Sequence, residues 1–448
     1  VEWIAALESI PYLQITGEAE SLAERFVEPE PLPRKASGNA LQALIKDIDY
    51  MPTKEDKKCN EMIVPLLAIL IPCTLFAALN PEPGLHKDNA VLSGGISRTF
   101  DYYIPADLPS EARLVLLLHG HGGDADGMTG ESGKAAPFKV WMNIADTAGI
   151  ICVYPDGEFS PIENDTRGWN DCRATAQSNP EVDDVTFLTA LIDTFASYYS
   201  ISPRTTFVAG MSNGGFMTMR LASEVPEMFG AFAAVCASMP QASECSRPSR
   251  PASVLFMNGT DDSITPFNGG YMNGDTSGTR GTALSTWEAV NQWVSLNRIT
   301  SVGRVDTLPD ISKQDKARVV THSWESEAYR KKVVLYEVLG GGHTEPSKVE
   351  KYSDWWQDGG LLFGGVGNQN HDIEMAYEIW DFFCSLGPSP SKVKRQMPVA
   401  KRTPSANNAQ GFYDLRGRRI SGGRRNTQTG IAIMAGKEAA RKVIIEGF

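Results

Sequence analysis

The chain has 448 residues, 42% of them hydrophobic, which is enough to bury a sizeable core and to build two or three folding units. Its formal net charge is −12, unevenly spread: residues 388–448 carry 13 Lys and Arg against 3 Asp and Glu, so the remainder is strongly acidic. An acidic body argues against nucleic acid as a partner, because phosphate binding needs a basic surface.

Residues 1–50 read as an N-terminal extension outside the mature protein, with a short amphipathic helix over 18–26. From Met51, Lys54, Lys57 and Lys58 precede an apolar run over 62–79 that closes on Phe76-Ala77-Ala78. A basic start, an apolar middle and small residues at the end are the layout of a secretory signal peptide, placed at 51–80. Pro65 and Pro72 weaken the rival reading, a membrane anchor, so no stable membrane span is expected and the mature chain begins close to residue 80.

Strand signals follow at 114–118, 150–154, 206–209, 231–236, 253–257 and 332–339, and helix signals at 138–147, 184–199, 214–225, 284–296 and 373–386. This alternation predicts a mainly parallel sheet with helices on both faces, and reactive loops gathered at the strand C-termini. At Gly387 the composition turns to Pro, Ser, Lys and Asn, a linker over 388–410, and residues 411–448 form a small β-rich appendage.

Gly210-Met211-Ser212-Asn213-Gly214 stands between a predicted strand and a predicted helix. A G-x-S-x-G in that setting is a nucleophile elbow, whose glycines let a serine stand clear of a sharp turn. The Asn213 amide, opening the helix, points at the place where an oxyanion forms. An acid and a histidine must then follow in that order, each on a loop after a strand. The strand at 253–257 runs into a loop with Asp261 and Asp262, and the strand at 332–339 runs into Gly340-Gly341-Gly342-His343. His322 lies inside a strand-like run and His371 at a helix start, so His343 is the expected base.

The segment from about 96 to 386, within a domain placed at 85–387, resembles the polyhydroxybutyrate-depolymerase and feruloyl-esterase group of α/β-hydrolases. The resemblance rests on Arg98-Thr99-Phe100-Asp101-Tyr102-Tyr103, Leu118-His119-Gly120-His121-Gly122-Gly123, Val182-Asp183-Asp184, the elbow, Gly259-Thr260-Asp261-Asp262 and Gly342-His343-Thr344. It implies an α/β-hydrolase fold, Asp262 rather than Asp261 as the acid, and a second oxyanion donor from the loop after the first strand, at the His121 amide. Two positions depart from the group's pattern: Glu345, where tryptophan is common, and Asn258, where histidine is frequent. The last residues, with Phe412-Tyr413-Asp414-Leu415-Arg416-Gly417 and Lys442-Val443-Ile444-Ile445, are similar to the C-terminal sorting domain of type IX secretion. That similarity implies export across the outer membrane of a Gram-negative bacterium, with the secretion machinery as a partner.

These residues together predict serine esterase chemistry without a cofactor or metal. His119 and His121 have ligand residue types at i and i+2, but no third histidine or cysteine stands near them in sequence. The expected substrates are plant cell-wall esters, feruloyl groups on xylan first, with acetylxylan or a polyhydroxyalkanoate as alternatives and a non-catalytic carbohydrate-binding surface protein as a distant one. Trp169, Phe267, Tyr271 and Trp287 are the aromatic candidates for substrate contact, though such residues more often pack cores. Five of the seven cysteines follow the signal segment; Cys236 with Cys245 is the easiest disulfide by loop length, the connectivity is open, and one thiol must be left over.

Overall fold

The computed structural model describes residues 79–358 and 365–386, together with the backbone of four short strands between Phe412 and Ile444. The expectations for the N-terminal extension and the signal peptide lie outside the described residues, except at residues 79 and 80. The linker at 388–410 lies outside them altogether.

The central sheet has ten strands. They are β1 (Gly84–Ser93), β2 (Ile96–Ile104), β3 (Arg113–Leu118), β4 (Ile150–Pro155), β7 (Thr206–Met211), β8 (Ala231–Val235), β9 (Val254–Gly259), β12 (Arg304–Thr307), β13 (Arg318–Glu325) and β14 (Lys332–Leu339). Two small hairpins lie off the sheet, β5 (Glu158–Phe159) with β6 (Arg167–Gly168), and β10 (Gly270–Tyr271) with β11 (Thr282–Ala283). The spatial order is β1-β2-β4-β3-β7-β8-β9-β14-β13-β12. From β4 to β14 every neighbouring pair is parallel, while β1, β2, β13 and β12 flank this core with antiparallel pairing.

The helices are α1 (Ala125–Thr129), α2 (Val140–Ala148), α3 (Asp184–Tyr198), α4 (Asn213–Glu224), α5 (Thr286–Leu296), α6 (Asp354–Asp358) and α7 (Met375–Cys384). Successive strand residues point to opposite faces, and the apolar side chains divide accordingly. Leu114, Leu116, Val208, Phe232 and Phe256 pack with α3, α4 and α5 on one face, whereas Val115, Leu117, Ala209, Ala233 and Leu255 pack with α2 and α7 on the other. Strands buried on both faces are continuous apolar runs, which is why they were legible as Leu114-Val115-Leu116-Leu117-Leu118 and its counterparts. The expected α/β-hydrolase architecture is thus the observed one.

Helix starts follow local chemistry. Asp183 caps α3 by accepting from the Thr186 amide at 3.0 Å, and Ser285 with Glu288 forms a reciprocal capping box on α5. Buried Arg98 on β2 donates to buried Asp184 at 2.7 Å, fastening the sheet margin to α3. Near the C-terminus, Phe412–Tyr413, Arg419–Ile420, Ile431–Met434 and Arg441–Ile444 pair antiparallel into a separate four-stranded sheet.

Candidate active site

Ser212 sits at the turn from β7 into α4 with φ 55° and ψ −121°, a left-handed backbone that a non-glycine residue holds at a cost of about 1–3 kcal/mol. Two backbone bonds hold it there: the Ser212 amide donates to Val235 O at 2.8 Å, and its carbonyl accepts from the Phe216 amide at 2.9 Å. The flanking glycines are steric necessities. A β-carbon on Gly210 would run into the Gly214 carbonyl, and one on Gly214 into the carbonyls of Leu118 and His119.

The loops after β9 and β14 bring two more side chains to this serine. His343 Nε2 is 2.9 Å from Ser212 Oγ, and His343 Nδ1 is 2.7 Å from Asp262 Oδ2. The other Asp262 oxygen accepts from the amides of Ile264 and Thr265 at 2.8 and 2.7 Å, so the carboxylate cannot rotate freely. All three residues are almost wholly buried, at 9%, 5% and 6% exposure for Ser212, Asp262 and His343. Burial disfavours the imidazolium, but the charge and hydrogen bond of Asp262, with the charge of Glu345, outweigh it and raise the His343 pKa above the ordinary imidazole value. Asp261 is exposed and accepts a bond from Thr260, away from this cluster.

The loop after β3 lies against the elbow. A β-carbon on Gly120 would be 3.3 Å from Ser212 Cβ. His119 is buried and fully engaged: its Nε2 accepts from the Gly157 amide at 2.8 Å, which leaves Nδ1 to donate to Gly120 O at 2.7 Å. Burial lowers its pKa, and its role is to shape the loop. His121 instead points its Nε2 at Glu163, 2.6 Å away. The Asn213 side chain is clamped, accepting from the Trp169 amide at 2.6 Å and donating to Trp169 O and to Asp171 Oδ2 at 3.0 and 2.7 Å. Asp171 also accepts from Arg173 and Asn179. Sequence reasoning missed this clamp; the polar Asn213 at a buried helix start was its one visible signal.

The aromatic candidates for substrate contact separate. Trp169 is fully buried and donates its indole N–H to His119 O at 2.9 Å, so it braces the loop from behind instead of facing a substrate. Phe267 is buried just after the Asp262 loop, and Trp287 packs edge-on against His322 and Trp324. Tyr271 is 47% exposed. His322 bonds to Glu337 on the neighbouring strand, and the His371 ring is tied to Ser347 O.

The expected Cys236–Cys245 disulfide is overturned. Cys245 is bonded to Cys172, 73 residues away in sequence, and Cys236 is a free buried thiol that donates to Thr344 O. Long-range backbone pairing outweighs loop length here: Ala174 N donates to Ala242 O and Glu244 N to Cys172 O, which brings the two Cα atoms to 5.6 Å. The Cys236 Sγ lies within 4.8 Å of the His343 and Asp262 ligand atoms. Glu345, at the position where the sequence departs from the group's pattern, is buried and accepts from the Tyr352 hydroxyl at 2.6 Å; burial raises its pKa.

A parallel sheet with a strained serine between strand and helix, and an acid and histidine on later strand ends, defines an α/β-hydrolase. The chain belongs to the esterase family described as "Putative esterase", which matches residues 95–342, more than half of its length. It is 28% identical over 260 residues to "Putative esterase NocK" of Nocardia uniformis subsp. tsuyamanensis, covering 55% of this chain and 69% of that protein. It is 30% identical over 132 residues to feruloyl esterase B of Neurospora crassa, covering 30% of this chain and 41% of that one. A solved acetyl xylan esterase from Aspergillus awamori aligns at 16% identity over 60% of this chain and 96% of its own, with a TM-score of 0.38. Among the described residues no helix is long and apolar enough to cross a membrane.

Proposed function

We propose that this chain is an exported serine carboxylesterase that acts on plant cell-wall esters, feruloyl groups on xylan first. The observation that carries the catalytic part is the continuous chain Ser212 Oγ, His343 Nε2, His343 Nδ1, Asp262 Oδ2, with gaps of 2.9 and 2.7 Å. Ser212 Oγ attacks the ester carbonyl carbon while its proton passes to His343 Nε2. Asp262 holds Nδ1–H and stabilises the imidazolium. Collapse of the tetrahedral intermediate breaks the C–O bond, and His343 returns the proton to the departing alcohol. Water then repeats these steps on the acyl-enzyme, releasing the acid and restoring Ser212.

The intermediate's negative oxygen takes the amide of Asn213 and one from the loop after β3, each such donor being worth about 3 kcal/mol of barrier. The Gly122 and Gly123 amides are engaged by Arg167 and Gly120, which supports the assignment of the second donor to His121. Kinship with a feruloyl esterase supports the acyl preference; acetylxylan and polyhydroxyalkanoate remain the competing substrates. Export rests on the signal-like segment at 51–80 and the sorting-like tail at 411–448. The deciding experiment compares methyl ferulate, acetylated xylan and poly(3-hydroxybutyrate) film as substrates. Highest kcat/KM on methyl ferulate is expected; turnover of film alone would replace the feruloyl reading.

A further inference from the structure

The two small hairpins beside the site are fastened to it and to each other. In the β5–β6 hairpin, Gly168 abuts the elbow so closely that a β-carbon there would lie 3.1 Å from Asn213 Oδ1 and 3.2 Å from His121 Nδ1. The β10–β11 hairpin joins the acid loop on its other side, where the Asn273 amide donates to Ile264 O at 2.7 Å, two residues after Asp262. Between them runs an ion pair: Arg280 Nη2 donates to Glu163 Oε1 at 2.6 Å, while Glu163 Oε2 accepts from His121 Nε2 at 2.6 Å. Arg280 is held in advance, because the preceding turn is built on Asp275, which accepts from the Ser277 amide and the Thr279 hydroxyl.

These groups are accessible. Arg280, Glu163 and His121 side chains are 33%, 26% and 25% exposed, and Tyr271 on the same hairpin as Arg280 is 47% exposed. A guanidinium carries five N–H donors in one plane, more than Glu163 can occupy, and a carboxylate accepts from more than two donors. An edge of fixed donors and acceptors suits vicinal hydroxyls, and an exposed tyrosine offers a flat apolar face with a polar tip.

We infer that the β5–β6 and β10–β11 hairpins form a saccharide-binding rim that holds the sugar on the alcohol side of the ester, with Arg280 and Glu163 bonding its hydroxyls and Tyr271 stacking on its ring. The inference deepens the esterase reading and rests on it for the identity of the acyl partner. A polyester chain offers this edge ester oxygens that accept from Arg280 but, with no hydroxyls along its length, nothing that donates to Glu163.

The test uses the full chain and the variants Arg280→Ala and Tyr271→Ala. Xylohexaose, which carries no ester, is titrated calorimetrically; kcat/KM is measured on a feruloylated xylo-oligosaccharide and on methyl ferulate. Saturable xylohexaose binding is expected, at least tenfold weaker in both variants. Each variant is also expected to lose at least tenfold more kcat/KM on the sugar ester than on methyl ferulate, through KM. Absent xylohexaose binding, binding unchanged in both variants, or equal losses on the two esters would overturn the rim. Equal losses would assign Arg280 to bracing the oxyanion loop. If the unaltered protein hydrolyses no ester, the esterase reading falls instead, and the xylohexaose titration still decides the rim.

Discussion

His343 is flanked by two buried carboxylates, Asp262 in direct contact and Glu345 two residues on. On the proposed mechanism Ser212→Ala and His343→Ala each lower turnover by about three or more orders of magnitude with the fold intact, since such residues act as a unit. Circular dichroism and aryl-ester kinetics check this. Asp262→Asn is expected to be far more damaging than Asp261→Asn, because only Asp262 touches the imidazole. The proposed mechanism needs neutral His343, so kcat/KM is expected to fall as pH drops through its raised pKa. Glu345→Gln removes one charge that raises it, and the acidic limb of the pH–rate profile should move to lower pH. An unmoved limb would mean that Glu345 carries no charge in the free enzyme. At this scale the sequence showed the residue types, and resemblance preferred Asp262 over its neighbour. Only the folded backbone separates an exposed Asp261 from an Asp262 fixed by two amides.

The elements are held together by contacts that span the sequence. The Arg98–Asp184 pair is desolvated on both sides, and Asp184 also accepts from the Asn170 amide at 2.7 Å. Arg98→Met strands a buried carboxylate whose pKa burial already raises, and should cost about 3–5 kcal/mol in denaturant unfolding. The Cys172–Cys245 bridge closes a loop of 73 residues, for which chain entropy assigns about 4 kcal/mol. Cys172→Ser should therefore lower the unfolding midpoint, and reductant should lower that of the unaltered protein to match. The strands and helices read from the sequence between 114 and 386 agree within one or two residues at their ends, because apolar runs and caps are local, while the short α1, α6 and the two small hairpins were not read. The margin strands β1 and β12 were not legible, since half-exposed edge strands such as Arg304-Val305-Asp306-Thr307 carry no apolar run.

Across the whole molecule, acidity concentrates in the hydrolase body. Asp101 on β2 is an unusual member of that charge: burial, with the charges of Asp126 and Asp156, pushes its carboxyl up to about 6 against the Asp88 amide and Lys87. Between the unfolded value of 3.8 and about 6 the folded state holds the extra proton, so stability falls as pH rises through that window. Asp101→Asn should stabilise the folded state at pH 7 by about 1–2 kcal/mol after allowance for solvent screening, read as a raised melting temperature, and change little at pH 3.5. Equal shifts at both pH values would assign the gain to packing.

The sequence alone determined the αβ alternation and the strand–serine–helix turn at Ser212, because each depends on neighbours within a few positions. Tertiary structure decided what depends on distant segments meeting. It joined Cys172 and not Cys236 to Cys245, placed Trp169 against the loop after β3, clamped Asn213 through Asp171, and linked Glu163 to Arg280 across 117 positions. Such pairings are set by which loops the sheet order brings side by side, and no local pattern encodes that order.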